Sequence, residues 1–411
     1  MTRLAPLCLL LFTGAAVAQT SPWYIGASQT FTQESNLYRL ADGAATPDGV
    51  SKADLISSTA LLAGLDQPLG RQRVYGSATL RSSKFRDNKD LDNEGYALRA
   101  GLDWETVNRL SGTLEASAER SLARFNTDTE LGVQTRRNIE DQTRLLAEAR
   151  VGVVTAYTAE VSLEHRERRF SAPEYDRREN RQTTGAASLR WRPRGGTMLG
   201  IGLRHTAGSY PRFRTNDDGG FEPDRYTRNG LDLLGSWESG GATRLDARIT
   251  LGQTRYDQND ARDISGGTGY VAWTWRPGGR LSLNARLARD IGQDAYFSGN
   301  PFVNGVVDTG RTTTTARLTA DYAASAKVGL RASVLQARRD LVQTLPPSAL
   351  FPGNLRGRDN TTELSLGATW APTRSLVFGC DLGHERRSAS GDLSLPYSAD
   401  RVGCYGQIFL R

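Results

Sequence analysis

Apolar and polar residues alternate with a period of two along much of this chain. Tyr157, Ala159, Val161 and Leu163 take one parity and Thr158, Glu160, Ser162 and Glu164 the other. The stretch near 242–256 sets Leu245, Ala247, Ile249 and Leu251 against Arg244, Asp246, Arg248 and Thr250, and that near 279–292 sets Leu281, Leu283, Ala285 and Leu287 against Asn284 and Arg286. Such alternation marks β-strands whose two faces meet different surroundings. The apolar set is dominated by Ala, Leu and Val, which suits contact with lipid, and its partner set is ionic, which suits water. A soluble β-sandwich also alternates, but its apolar face belongs to a core.

Runs of this kind are separated by connections of two lengths. Eight are short: Gln67–Gly70, Thr106–Val107, Thr155–Ala156, Pro193–Gly196, Ser239–Gly241, Pro277–Gly279, Ala324–Ser325 and Ala371–Thr373. Most hold the Gly, Pro, Ser or Thr of tight turns. Nine longer, polar stretches near 32–53, 85–92, 123–136, 171–179, 209–223, 257–262, 293–307, 341–356 and 389–399 alternate with them. Eight turns and nine loops join eighteen strands. The pattern predicts an all-β fold, a transmembrane antiparallel up-and-down β-barrel of about 18 strands in the bacterial outer membrane, with short periplasmic turns and long extracellular loops.

Tryptophan supplies an independent marker. Trp104, Trp191, Trp237, Trp275 and Trp370 each close a run just before a short turn, Trp273 stands beside one of them, and Trp23 opens the first run. Indole is amphipathic, so Trp23, Trp104, Trp191, Trp237, Trp275 and Trp370 are expected to form an aromatic girdle at the periplasmic interface. Phe85, Tyr96, Phe125, Phe170, Tyr210, Phe213, Tyr226 and Tyr256 lie near the opposite strand ends and are the candidates for a second girdle.

Residues 1–18 read as a signal peptide, with Arg3, the apolar stretch from Leu9 to Phe12, and Ala16-Val17-Ala18 before Gln19; residues 19–411 form the barrel. Two cysteines then remain, Cys380 and Cys404. They flank a loop predicted near 389–399, so a hairpin turning there brings them opposite each other, and a cross-strand disulfide is a candidate in an oxidising compartment. The alternative is two small residues on the lipid-facing surface. Elsewhere the chain lacks the ~20 consecutive apolar residues that a spanning helix requires.

Alternation directs Arg99, Arg144, Arg150, Arg166 and Arg190 toward the lumen, followed by Arg244, Arg248, Arg286, Arg317 and Arg331. It directs Glu148, Glu160, Asp232, Asp246 and Asp321 there too. A mixed wall of this kind solvates itself by salt bridging, and it also offers planar guanidinium forks and carboxylate acceptors to a polar solute. The chain has no Gly-x-Ser-x-Gly elbow and no His-Glu-x-x-His segment, and its three histidines, His165, His205 and His384, sit near outer strand ends. Gly266-Gly267-Thr268-Gly269 is not followed by a helix and does not read as a phosphate loop. The reading is therefore of a protein that is not an enzyme, with no cofactor and no metal site. Net charge is +7, yet both signs are spread throughout, which argues against nucleic acid as a partner.

Four segments carry a family resemblance: Tyr24-Ile25-Gly26-Ala27, Glu34-Ser35-Asn36-Leu37-Tyr38-Arg39-Leu40, Asp66-Gln67-Pro68-Leu69-Gly70-Arg71-Gln72-Arg73 and Arg137-Asn138-Ile139-Glu140. In these the chain resembles the exosortase-associated exopolysaccharide biosynthesis transporters within a β-barrel porin group. That resemblance implies passive export of an exopolysaccharide, with periplasmic and inner-membrane export components as partners. Membrane lipid, lipopolysaccharide and the barrel assembly machinery are further expected partners. The ending Phe409-Leu410-Arg411 departs from the terminal aromatic usual in such barrels, and Asn36–Arg39 is expected to cap the rim, the alternative being an inward fold. The same barrel physics allows a nutrient porin for small solutes, or a plugged structural or adhesive barrel.

Overall fold

The computed structural model describes residues 21–411 except 108, 126–132, 194, 217, 258–262, 292–311, 344–354 and 392. The leader expected over 1–18 lies outside the described residues. The first nine strands are β1 (Trp23–Glu34), β2 (Asp54–Leu69), β3 (Gln72–Phe85), β4 (Asn93–Glu105), β5 (Leu110–Leu122), β6 (Ile139–Val151), β7 (Tyr157–Phe170), β8 (Asn180–Trp191) and β9 (Thr197–Thr215). The other nine are β10 (Phe221–Ser239), β11 (Thr243–Tyr256), β12 (Ile264–Gly278), β13 (Leu281–Ile291), β14 (Thr312–Ala323), β15 (Val328–Gln343), β16 (Leu355–Trp370), β17 (Leu376–Ser390) and β18 (Tyr397–Leu410). Each pairs antiparallel with its sequence neighbours. β1 also pairs with β18, from Ile25 opposite Leu410 to Glu34 opposite Arg401, so the eighteen-stranded sheet closes on itself and has no edge.

Register carries the alternation around the wall. Leu145 lies opposite Ala116 and His165, Leu203 opposite Ala187 and Leu231, and Leu364 opposite Val334 and His384, so one continuous outward surface is Ala, Leu, Val and Ile. These side chains are exposed, Leu203, Leu231 and Leu364 among them. A folded protein that leaves so large an apolar surface uncovered belongs in lipid, and a closed barrel with this exterior is an outer-membrane protein. Among the described residues no helix is long and apolar enough to cross a membrane.

The six girdle tryptophans occupy outward positions at the end of the barrel that bears the eight short turns. Trp23 stands opposite Leu65, Trp104 opposite Gly112, Trp191 opposite Tyr157, Trp237 opposite Leu245, Trp275 opposite Thr243, and Trp370 opposite Val328. Trp273 stacks on Trp275 at 5.9 Å between centroids.

The expected second girdle does not form. Only Tyr96 of that set takes an outward place in the wall, opposite Leu80 and Arg120. Phe85, Phe170, Tyr210, Tyr226 and Tyr256 take the inward row, Phe125 is buried among loop residues, and Phe213 packs against the three tyrosines. The expected loop near 209–223 is also mostly strand, because β9 runs to Thr215 and β10 starts at Phe221. A register shift between Glu222 and Asp224 accommodates Pro223, which has no N–H for the ladder.

Close approach explains one inward glycine. The ring of Tyr75 on β3 lies across Gly101 on β4, where a Cβ would stand 2.2 Å from Cζ. Cys380 and Cys404 are register partners joined by a disulfide on the outward face, in line with Phe31 of β1. Both alternatives weighed for them therefore hold together: they are bonded, and they face lipid.

Two measurements check this arrangement. Leu233→Arg, outward in mid-wall, should cost about 2–4 kcal/mol of folding stability in lipid, whereas Ser188→Arg, on the inward row, should cost about 1 kcal/mol or less. Mass spectrometry of a non-reduced digest should recover the Cys380 and Cys404 peptides as one species that reduction separates.

Candidate functional site: the lumen and its constriction

The inward row is charged, and most of its charges are matched across strands. Arg99 pairs with Glu115, Glu115 with Arg144 at 2.9 Å, Arg144 with Glu164 at 2.6 Å, and Glu164 with Arg166 at 2.6 Å, a chain spanning β4 to β7. A second chain runs from Glu148 to Arg150, from Arg150 to Glu160 at 2.9 Å, and from Glu160 to Arg190. Arg204 meets Asp232 at 2.8 Å, and Thr250 donates to the same carboxylate at 2.6 Å. Arg244 holds Asp246 at 2.7 Å, and Arg331 holds Asp321 at 2.6 Å. Coupling each half-buried charge to an opposite one removes most of the cost of lining a narrow, low-dielectric wall with ions.

All fifteen residues expected in the lumen take inward register positions, but they are not equivalent. Arg248, Arg286 and Arg317 have no ion pair among the described residues. Arg286 lies directly opposite Arg317 on the next strand, and Arg248 lies opposite Tyr270, over whose ring the Arg286 guanidinium sits at 4.1 Å. Like charges in directly opposed positions repel. Lying in two adjacent rows, the three form a positive stripe on β11 to β14, in a wall whose other cations are largely ion-paired.

Loops narrow the outer end. After β1 the chain bends inward at Asn36, whose Nδ2 donates to the carbonyls of Leu40 at 2.9 Å and Ser398 at 3.0 Å, while its Oδ1 accepts from the Leu40 amide at 2.9 Å. The turn drives Arg39 to φ +54°, a strained value for a side-chain-bearing residue, and the guanidinium is held by Glu34 at 2.9 Å and by Glu385 of β17 at 3.3 Å. Tyr38 and Leu40 are 1% and 2% exposed, packed with Phe85, Leu91 and Phe125, and the Tyr38 ring is 4.8 Å from Phe125. The contact of Arg39 with the inward residue Glu385 fits the alternative, an inward fold of Asn36–Arg39, in place of the expected cap on the rim.

The loop after β5 reaches across in the same way. Arg124 pairs with Glu385 and takes the Tyr397 hydroxyl at 2.8 Å, although five strands lie between β5 and β17 around the wall. Tyr397 in turn donates to Glu385 at 2.5 Å. One inward carboxylate, Glu385, thereby ties two loops and two strands together. Arg39 belongs to the Asn36–Arg39 segment whose inward fold is the alternative reading of the sequence, whereas Arg124 lies outside the alternating runs and is not legible there. The legible hint was an apolar pair, Leu37-Tyr38, inside an otherwise polar loop.

Tyr38 also donates to Asn88 Oδ1 at 3.1 Å, and Asn88 binds Asp54. Burial, reinforced by the charges of Asp54 and Asp90, pushes its phenol up to about 12 from 10.0.

The three histidines face outward, His165 on Thr183, His205 on Asn229 and His384 on Asp400. Among the described residues no cluster of His, Cys, Asp or Glu is arranged to hold a metal ion.

No protein family and no curated protein matches this chain, so the resemblance to the exopolysaccharide-cluster barrels has no support of that kind. Among solved structures the barrel is similar to OccK2 (OpdF) of Pseudomonas aeruginosa, with TM-score 0.49 and 13% identity over 94% of this chain and 98% of that one. It is also similar to outer membrane protein opdK of Pseudomonas aeruginosa, at TM-score 0.48 and 12% identity with the same coverage of each chain. The siderophore receptor PirA of the same organism follows at TM-score 0.42 and 10% identity, covering 94% and 80%.

The Tyr38 dock predicts a pH response. A phenol whose folded pKa lies above its unfolded value contributes fully below about pH 10 and loses that contribution as pH rises toward 12. Protease cleavage within 37–50 should be negligible at pH 9 and appear between pH 10 and 12. Tyr38→Ala should release the segment at neutral pH and raise single-channel conductance, having lost about 3 kcal/mol of buried packing.

Proposed function

We propose that this outer-membrane barrel is a passive channel for small anionic solutes. The observation that carries the reading is the stripe of Arg248, Arg286 and Arg317, which has no ion pair among the described residues, with Asp290 and Glu363 acting on Arg286 and Arg317 only from a distance, while the wall pairs most other inward cations. An anion passing that stripe meets cations whose charge no ion pair in the wall takes up. Arg is suited to this work because its planar fork receives carboxylate or phosphate oxygens two at a time and stays charged at every physiological pH. The flanking ion-paired chains keep the rest of the wall polar without adding a strong site. A succession of weak sites favours passage over capture.

Loop geometry bears on the size of the solute. An eighteen-stranded barrel is wide enough for an aqueous passage unless loops fill it. Here the segments around Tyr38 and Arg124 converge on Glu385 and narrow that passage from one side. This supports the small-solute reading over export of a long, hydrated polysaccharide, the function that the family resemblance implies.

Reversal potentials in planar bilayers under a KCl gradient test the proposal. Wild-type channels should prefer chloride, more so at low ionic strength where screening is weak. The triple substitution Arg248→Gln, Arg286→Gln, Arg317→Gln should lower the chloride-to-potassium permeability ratio by about threefold or more, roughly 0.7 kcal/mol. A cation-preferring wild type, or a triple variant with unchanged selectivity, would sink the reading. Loss of surface polysaccharide on deleting the protein would favour the exporter instead.

A further inference from the structure

The outward face of the barrel is not uniform at its outer end. Where a second aromatic girdle was expected, the last outward positions carry cations, and their pairing differs around the wall; on β15 to β17 Arg358 meets Asp340 at 2.8 Å, while Arg338 and Arg386 have no ion pair among the described residues. On β3 to β7 they are matched by acids: Lys84 with Asp92 at 3.0 Å, Arg120 with Asp141 at 3.8 Å, and Arg169 with Glu167 at 2.6 Å. From β8 to β14 the outward rows carry no carboxylate at all within the strands, yet they end in Arg181, Arg225, Arg255 and Arg289, all exposed and without an ion pair among the described residues. Ser209 is the register partner of both Arg181 and Arg225, and Arg255 is the partner of Thr227, two residues from Arg225. Three guanidiniums therefore crown one short stretch of wall.

Directly beneath them the outer wall is hollowed into a groove of about 950 Å³. Its upper border is a polar row, His205, Asn229 and Gln253, and its lower border is the apolar row Leu203, Leu231 and Leu251. The floor is formed by the intervening small residues, Ala186, Gly230 and Gly252 among them. Small residues let the groove sink toward the backbone. His205 Nδ1 is 2.7 Å from Asn229 Oδ1, which fixes the imidazole at the border.

We propose that this groove and its arginine crown hold one phosphorylated glycolipid of the outer leaflet. The order of chemistry along the membrane normal matches such a molecule: Arg181, Arg225 and Arg255 for the phosphates, the His205, Asn229 and Gln253 row for sugar hydroxyls and amide groups, and the leucine row for acyl chains. Guanidinium is the preferred partner of phosphate. The groove lies in mid-wall and its arginine crown stands toward the strand ends opposite the tryptophan girdle, so the phosphates of its occupant belong to the leaflet that faces outward. A second copy of the chain is disfavoured as the occupant, since a face this cationic and free of acids would meet its own charge in a symmetric contact.

Native mass spectrometry of the full-length mature barrel in detergent tests this, with diphosphoryl lipid A as the probe. Wild type should retain it at least tenfold better than the same lipid with both phosphates removed. Arg181→Gln/Arg225→Gln/Arg255→Gln should lose about tenfold in retention, while Lys84→Gln/Arg120→Gln/Arg169→Gln, in the ion-paired sector, should stay within about twofold of wild type. Equal losses in the two variants, indifference of wild type to the phosphates, or displacement of the probe by an equal amount of phosphatidylglycerol would overturn the proposal. So would a detergent-resistant dimer whose contact covers the groove. Heat-modifiable gel mobility reports whether each variant has folded; if the crown variant has not, the wild-type preference for the phosphorylated probe decides the matter alone.

Discussion

Hydrocarbon offers no partner to a backbone amide or carbonyl, and the rest of this protein follows from that constraint. A sheet can satisfy it only by closing, and closure here depends on the ladder between β1 and β18. Once the sheet is closed, period-two alternation separates two solvents across a wall one strand thick. Outward side chains have only to be apolar, which explains a surface of Ala, Leu and Val with little specific packing. Inward side chains have to be polar without leaving charges stranded, and this wall achieves it by chaining carboxylates and guanidiniums across neighbouring strands.

Those chains give the exceptions their meaning. In a lumen where Glu115, Glu160 and Glu164 each bridge two cations, the stripe Arg248, Arg286 and Arg317 stands out because it has no ion pair among the described residues. On the outer face the same contrast recurs, with cations paired on β3 to β7 and unpaired on β8 to β14. The segments after β1 and β5 show a third use of charge: Glu385 joins Arg39 and Arg124, holding two loops inside the barrel against the entropy of long connections. In all three places the local balance of charge, more than hydrophobic packing, distinguishes one part of the barrel from another.

Much of the architecture was legible in the chain. Strand number, the parity of every inward residue proposed, the tryptophan positions and the facing of Cys380 and Cys404 across one hairpin are readable from period two and turn spacing, because both are local properties that register only has to preserve. The outer aromatics were misplaced for an equally local reason. Tyr210, Tyr226 and Tyr256 were assigned by their nearness to strand ends, whereas their parity puts them inside, where they pack on one another. In the 209–223 segment Asn216-Asp217-Asp218-Gly219-Gly220 reads as loop chemistry, yet the strands run to Thr215 and resume at Phe221, and a register shift absorbs Pro223 without ending the strand.

The sequence by itself thus determined which residues face lipid and which face the lumen, since a two-residue repeat in a closed sheet admits one assignment. It did not determine which charges are paired. That depends on cross-strand register, on loops that return to strands five positions away around the wall, and on how small residues on adjacent strands line up into a groove. Arg39, Arg124 and Glu385 meet only because the barrel brings positions 39, 124 and 385 to one place, and no spacing along a chain encodes a contact between segments hundreds of residues apart.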